Sequence, residues 1–203
     1  MTGTGWLPKP TLEGELTTLR PFVASDAEVM AAIFTDPEVL RLTGSATSTA
    51  EIAAQSPTPD ERTREWYATR ASADERLDLA VVDKACGAVV GEVVLNSYDE
   101  NALSANFRTL IGPQGRGRGL GTEAARLILG YGFEVIGLHR IGLDVFAFNP
   151  RAQRVYENVG FRVEGRKRDA FRFDGEPIDE IWMAILAPEW AEHRGHPQRA
   201  RST

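Results

Sequence analysis

Apolar residues along the chain follow two rhythms. Alternation marks strands: Leu12 to Val23, Leu77–Val82, Ala88–Leu95, about Leu103–Ile111, Ile141 with Leu143 and Val145, and a pair near Phe161–Arg172 and Ile178–Leu186 that turns at Asp174-Gly175. A 3.6-residue period marks helices. Val29, Met30, Ile33 and Phe34 follow Ser25-Asp-Ala-Glu28, a capping box, and Thr58-Pro-Asp-Glu61 opens a second helix reaching about Ser72. Ala124, Leu127, Ile128 and Tyr131 form one buried stripe; Ala152, Val155, Tyr156 and Val159 form another. Between these elements, Thr43 to Ser56 is rich in Gly, Ser, Thr and Ala and reads as a mobile lip, while 1–10 and 188–203 read as peripheral termini. The expectation is one α/β (α+β) domain over 11–187, a mixed, mostly antiparallel sheet flanked by about four helices.

Composition narrows the class. With 203 residues, 42% hydrophobic and 26% charged, the chain is long enough to bury a core and has ordinary globular proportions. It shows no basic-then-apolar leader and no membrane-length apolar run, so a cytoplasmic protein is expected. His139, His193 and His196 have no metal spacing, and no metal is expected. Cys86, in Asp83-Lys-Ala-Cys-Gly87, reads as a turn residue rather than a nucleophile, because no basic cluster beside it would lower its pKa. The net charge of −6 disfavours a general nucleic-acid binder and suits a cationic acceptor.

The chemistry concentrates in Gln114-Gly-Arg-Gly-Arg-Gly-Leu-Gly-Thr-Glu123, between an expected strand and an expected helix. Glycines let backbone N–H groups turn toward one concavity, and the helix start adds unpaired N–H groups and a positive dipole end, so the segment suits a phosphate. A Walker loop needs Lys-Ser/Thr where Gly121-Thr122 stands; the Rossmann fingerprint needs a G-x-G-x-x-G spacing that alternate glycines do not supply. Taken alone, the loop also fits a solvent-exposed glycine-rich turn or an arginine-glycine RNA patch.

Arg116-Gly-Arg-Gly119-Leu-Gly121 resembles the pyrophosphate-binding signature of the GCN5-related N-acetyltransferases (GNAT). Asn149-Pro-Arg-Ala-Gln-Arg-Val-Tyr-Glu-Asn-Val-Gly-Phe161 resembles their second motif, and Glu164-Gly-Arg-Lys-Arg-Asp-Ala-Phe with Ile178-Asp-Glu-Ile-Trp-Met resembles the C-terminal hairpin of the branch containing bacterial ribosomal-protein Ala and Ser N-terminal acetyltransferases. The resemblance runs from about Thr11 to Leu186. It implies a sheet splayed between its fourth and fifth strands, acetyl-coenzyme A as cofactor, and transfer of acetyl to a primary amine, on a small molecule or a protein N-terminus, within a ternary complex. Relatives are often homodimers.

Carried onto this chain, the resemblance assigns cofactor contacts to Leu110, Ile111, Arg116, Gly117, Arg118, Gly119, Leu120, Gly121, Thr122, Asn149 and Arg151. Tyr156 matches the family's general acid; a phenol of pKa ~10 can protonate a thiolate whose conjugate acid lies near ~8.5. Related enzymes often carry a base on the fourth strand where Asn106 stands, and Asn106 cannot accept a proton at neutral pH. Glu92 is the first remaining candidate for the base and Asp179 the next. The departure at Asn106 leaves open a non-catalytic acyl-coenzyme A binding module. An α-amino group of pKa ~8 would need less help than a lysine near ~10.4.

Overall fold

The computed structural model describes residues 6–56 and 58–194. Eight strands form one sheet: β1 (Leu12–Glu13), β2 (Thr17–Arg20), β3 (Leu77–Asp83), β4 (Val89–Asp99), β5 (Ser104–Ile111), β6 (Arg140–Phe146), β7 (Arg162–Phe173) and β8 (Glu176–Leu186). They lie in the order β1-β2-β3-β4-β5-β6-β8-β7. Every neighbouring pair is antiparallel except β5 and β6.

The expected first strand, Leu12 to Val23, is broken by a turn in which Gly14 N–H donates to Thr17 O at 2.8 Å. Glu123 holds that turn, accepting from Leu16 N, Thr17 N and the Thr17 hydroxyl. Strand numbering therefore moves up by one, and the splay falls between the fifth and sixth strands. The β5–β6 ladder covers only Ser104–Asn106 against Arg140–Gly142. Beyond it, β5 continues to Ile111 on β4 and β6 continues to Phe146 on β8. Two strands that part after three pairs leave an open wedge.

Directly opposed residues share a face, so the register sorts the sheet into two sides. On one side Leu79, Val81, Val93, Leu95 and Phe107 pack with Ala124, Ala125, Ile128 and Leu129 of α5 (Leu120–Tyr131). On the other side Ala80 and Leu110 pack with Phe22, with Ala27, Met30 and Ile33 of α1 (Asp26–Phe34), and with Tyr67 of α4 (Glu61–Thr69).

Among the described residues there are seven α-helices rather than about four. The additions are α2 (Pro37–Thr43), α3 (Thr49–Ala53) and α7 (Ala187–His193); the last expected helix is α6 (Pro150–Asn158). Helices of five to seven residues are too short to display an apolar period, which is why the pattern missed them. The region expected as a mobile lip instead folds as the end of α2 plus α3. Asp36 caps α2 on Val39 N at 3.0 Å, Ser48 caps α3, and Asp174 of the terminal hairpin accepts from Thr49 N at 2.8 Å.

Two expected caps are displaced. Ser25 makes no side-chain cap; Asp26 instead accepts from Val23 N and takes both Arg20 guanidinium nitrogens at 2.7 and 2.8 Å. Helix α4 is capped by Asp60 on Thr63 N rather than by Thr58. The termini are also less peripheral than expected. Trp6 is fully buried against Tyr98, and Trp190 of α7 stacks on Phe133 with centroids 5.9 Å apart. The expected termini outside 6–10 and 188–194 lie beyond the described residues.

Candidate active site

A cavity of about 380 Å³ fills the wedge between β5 and β6. Its wall includes Glu92, Asn106, Leu110, Ile111, Arg116, Gly117, Gly119, Gly121, Thr122, Asn149, Arg151 and Tyr156, so twelve of the fifteen residues singled out in the sequence converge there. The geometry follows from three elements ending or parting at one place: the free edge of β5, the start of α5 and the start of α6.

Backbone donors line one end. Gly112 N–H bonds to Val90 O, so by antiparallel alternation Leu110 also bonds toward β4, while Thr109 and Ile111 turn their N–H groups to the open edge. Of the expected pair, Ile111 rather than Leu110 has its amide at the edge. Past Ile111 the chain turns through Gly117 at φ +73° and Gly119 at φ +83°, a conformation that strains residues with a Cβ. A Cβ on Gly117 would meet nothing within 4 Å; its glycine serves backbone shape and approach rather than packing. Gly119 is the N-cap of α5 and supplies no side-chain cap, so the amides of the first turn remain for a ligand. This cradle fits a pyrophosphate.

The arginines of the loop are engaged elsewhere. Arg116 donates to Ile111 O at 3.0 Å and pairs with Asp36 at 2.9 Å and with Glu38. Glu38 also binds Arg151 at 2.8 Å, so one carboxylate ties the glycine loop to α6. Arg118 turns away to Asp83 at 2.5 Å and does not line the cavity. Leu120 is buried in the core. Asp179 is held by Arg166 at 2.6 Å and Asp169 N at 2.9 Å in the terminal hairpin, outside the cavity. Asn149 caps α6, its oxygen accepting from Ala152 N at 3.1 Å, so only its Nδ2 donors can serve a ligand.

Glu92 and Tyr156 both line the wedge, from opposite faces of the β4–β5 sheet. Glu92 stands opposite Leu110 on β4, only 5% exposed, and its Oε2 is buried without a hydrogen-bond partner. Burial, reinforced by the Asp78 charge, pushes its carboxyl up to about 7. Asp78 is itself fully buried and paired with Lys9 at 3.3 Å and Arg76 at 2.5 Å. Tyr156 packs edge-on against Phe107 and Phe161, and burial, then the Asp144 charge, holds its phenol well above the usual range. Asn106 lies on Glu92's face and approaches Asn96 Oδ1 at 3.5 Å.

The pattern did not single out Arg108 and Asp144, which also line the cavity. Neither stands out in the pattern, because each fills an ordinary polar position of a strand alternation: Asp144 lies between Leu143 and Val145, and Arg108 follows Phe107. Among the described residues no group of three His, Cys, Asp or Glu side chains is arranged to hold a metal, and no helix is long and apolar enough to cross a membrane.

A mixed sheet splayed beside a glycine loop is the architecture of an acetyltransferase fold, and sequence comparison agrees. The profile of the acetyltransferase (GNAT) domain matches residues 17–162, and the chain belongs to that family. It is 35% identical over 109 residues to a spermidine N(1)-acetyltransferase of Escherichia coli K12, covering 53% of this chain and 59% of that protein. A putative ribosomal N-acetyltransferase of Bacillus subtilis is 29% identical over 104 residues, 51% of this chain and 57% of the relative. These matches span less than two thirds of the relatives' length. The crystal structure of a Vibrio cholerae spermidine N-acetyltransferase, described in complex with CoA and spermine, superposes with a TM-score of 0.74 at 23% identity, covering 88% of this chain and 99% of the other.

Proposed function

We propose that the protein is an acetyl-coenzyme A dependent N-acetyltransferase that acts on a primary amine by direct attack within a ternary complex. The observation that carries this reading is Glu92, a buried carboxylate with one oxygen unpartnered, opening on the same cavity as the glycine cradle and Tyr156. The names of the relatives, spermidine and ribosomal acetyltransferases, support an amine acceptor and leave its kind to the chemistry of the pocket. Kinship with the ribosomal-protein branch rests on the hairpin motif, and a homodimer on the habit of relatives.

The residues would hold the cofactor as follows. Amides of Gly117 to Thr122 meet the pyrophosphate, with the positive end of α5 behind them. The Nδ2 of Asn149 donates to the pantetheine arm, and Arg151, held by Glu38, borders the mouth. Bound acetyl-coenzyme A supplies a thioester carbonyl carbon, to which the amine nitrogen bonds as the C–S bond breaks and coenzyme A leaves as thiol.

The chain moves the protons. Glu92, near 7, is ionised over a useful fraction of molecules at neutral pH and takes one proton from the incoming ammonium. The Ile111 amide, at the unpaired edge of β5, donates a hydrogen bond to an oxygen that gains negative charge. The Tyr156 hydroxyl returns a proton to the leaving sulfur. With a second proton shed by the nitrogen, one proton is released per turnover. No cysteine takes part, since Cys86 is outside the cavity.

The test is a thermal-shift titration with acetyl-coenzyme A, followed by thiol release in the presence of amines. Saturation at a hundredfold excess over Kd adds about 2.7 kcal/mol. A melting shift with thiol release supports the enzyme; a shift without release for any amine leaves an acyl-coenzyme A binding module; no shift at millimolar ligand removes both readings.

A further inference from the structure

Three arginines line the cavity, and their situations differ. Arg116 and Arg151 are neutralised by Asp36 and Glu38. Arg108 is exposed and, among the described residues, its guanidinium makes no hydrogen bond and no ion pair, although its charge acts on Glu92 and favours that group's ionised form. It lies opposite Val94 on β4, two residues from the Glu92–Leu110 pair, so Arg108 and Glu92 are diagonal neighbours on one face of the sheet. Such neighbours have side-chain origins about 7–8 Å apart. Asp144, across the wedge on β6, is exposed, lines the same cavity and likewise has no ion-pair partner among the described residues.

A solvated guanidinium on a cleft wall with no ion pair is free to take a ligand anion, and the glycine cradle lies away from it. The phosphate cradle begins beyond Ile111, three residues along β5 from Arg108, or about 10 Å of extended chain. Arg108 also lies on the face of Glu92, where the amine must enter, rather than on that of Tyr156, whose ring packs with Phe107 on the opposite face. A polyamine would set ammonium groups against this arginine. An amino acid would pair its carboxylate with Arg108 in a bidentate fork, while its ammonium is drawn to the carboxylates of Glu92 and Asp144.

We infer that the acceptor is a small zwitterionic amine, an amino acid whose carboxylate Arg108 holds so that its amine faces Glu92. This rests on the acetyltransferase reading.

The test measures kcat/KM for thiol release with a panel of amino acids, their neutral α-amides, spermidine and an Ala-initiated peptide, using the full chain and its Arg108→Met and Arg108→Lys variants. Folding of the variants is checked by thermal unfolding without ligand, and the melting shift with acetyl-coenzyme A reports cofactor binding separately. The expected result is a preference for an acid over its amide of about ten- to hundredfold, the scale of one charge-assisted pair. Arg108→Met erases that preference mainly through KM, and Arg108→Lys keeps part of it. Equal or better turnover of amides, peptide or spermidine, or a preference unchanged in Arg108→Met, overturns the inference and leaves the transferase standing. Transfer to none of these amines by a protein that binds acetyl-coenzyme A also overturns it. Failure of acetyl-coenzyme A to shift the melting point overturns the transferase itself.

Discussion

Burying a carboxylate away from a counter-ion favours its protonated form, and Glu92 is displaced in this way from 4.5 to about 7. Between those two values the folded chain holds a proton that the unfolded chain has released, so stability falls as pH rises through the window and is lowest above 7. Glu92→Gln cannot titrate there. Its melting temperature should therefore gain on wild type from pH 5 to pH 8, by a margin corresponding to about 3 kcal/mol, as differential scanning calorimetry at both pH values would show. The same substitution should lower kcat by about 10²- to 10⁴-fold and remove a rising limb centred near pH 7 from the kcat profile. A variant more stable at pH 8 and nearly inactive separates a base from a merely structural glutamate. Tyr156→Phe keeps the ring that packs on Phe107 and Phe161 and loses only the hydroxyl. Expected is a fall in kcat of about a hundredfold, the lower end of general-acid effects, with the acetyl-coenzyme A melting shift retained; an unaltered kcat would remove the acid role.

At the scale of elements, the function depends on how helices begin. Helix α5 begins at a glycine with positive φ and no side-chain cap, which leaves its first amides for a ligand, whereas α2, α3, α4 and α6 are capped by Asp36, Ser48, Asp60 and Asn149. Gly117→Ala meets no neighbour, so its stability cost comes only from the backbone conformation, about 1–2 kcal/mol. Weaker acetyl-coenzyme A binding by isothermal titration calorimetry, beyond any change in the melting point of the free protein, is the expected signature of a cradle. Asp60→Ala, remote from the cavity, should cost about 1 kcal/mol in urea unfolding and leave kcat/KM unaltered. The elements also mark the range of pattern reading. The glycine loop, the Asn149 cap and the Tyr156 stripe were legible because each is local. Helices α2 and α3 were not, since one or two turns show no period and their positions depend on Asp36, Glu38 and Asp174 meeting residues up to 125 positions away.

For the molecule as a whole, the two ends of the described chain lock the sheet. Trp6 is fully buried, and Trp190 is held by Phe133 and by a hydrogen bond to Glu134 at 2.8 Å. Trp190→Ala should cost about 3–5 kcal/mol and lower Tm by roughly 10 °C at this size, measured by thermal unfolding, although the segment after Pro188 reads as a tail from its charges alone. The sequence by itself determined the class of protein: two hydrophobic rhythms set the strands and longer helices, and a glycine loop before a helix, with the Asn149 motif after it, carried the family resemblance, because backbone conformation and capping are local properties. Only the tertiary structure decided which charges act. Arg116 and Arg118 look alike in the motif, yet one is clasped by Asp36 and Glu38 and the other turns to Asp83, while Glu92 acquires its proton affinity from burial and from Asp78 on a neighbouring strand. Charge, desolvation and reach are properties of surroundings, and those surroundings come from parts of the chain that meet only when the sheet is assembled.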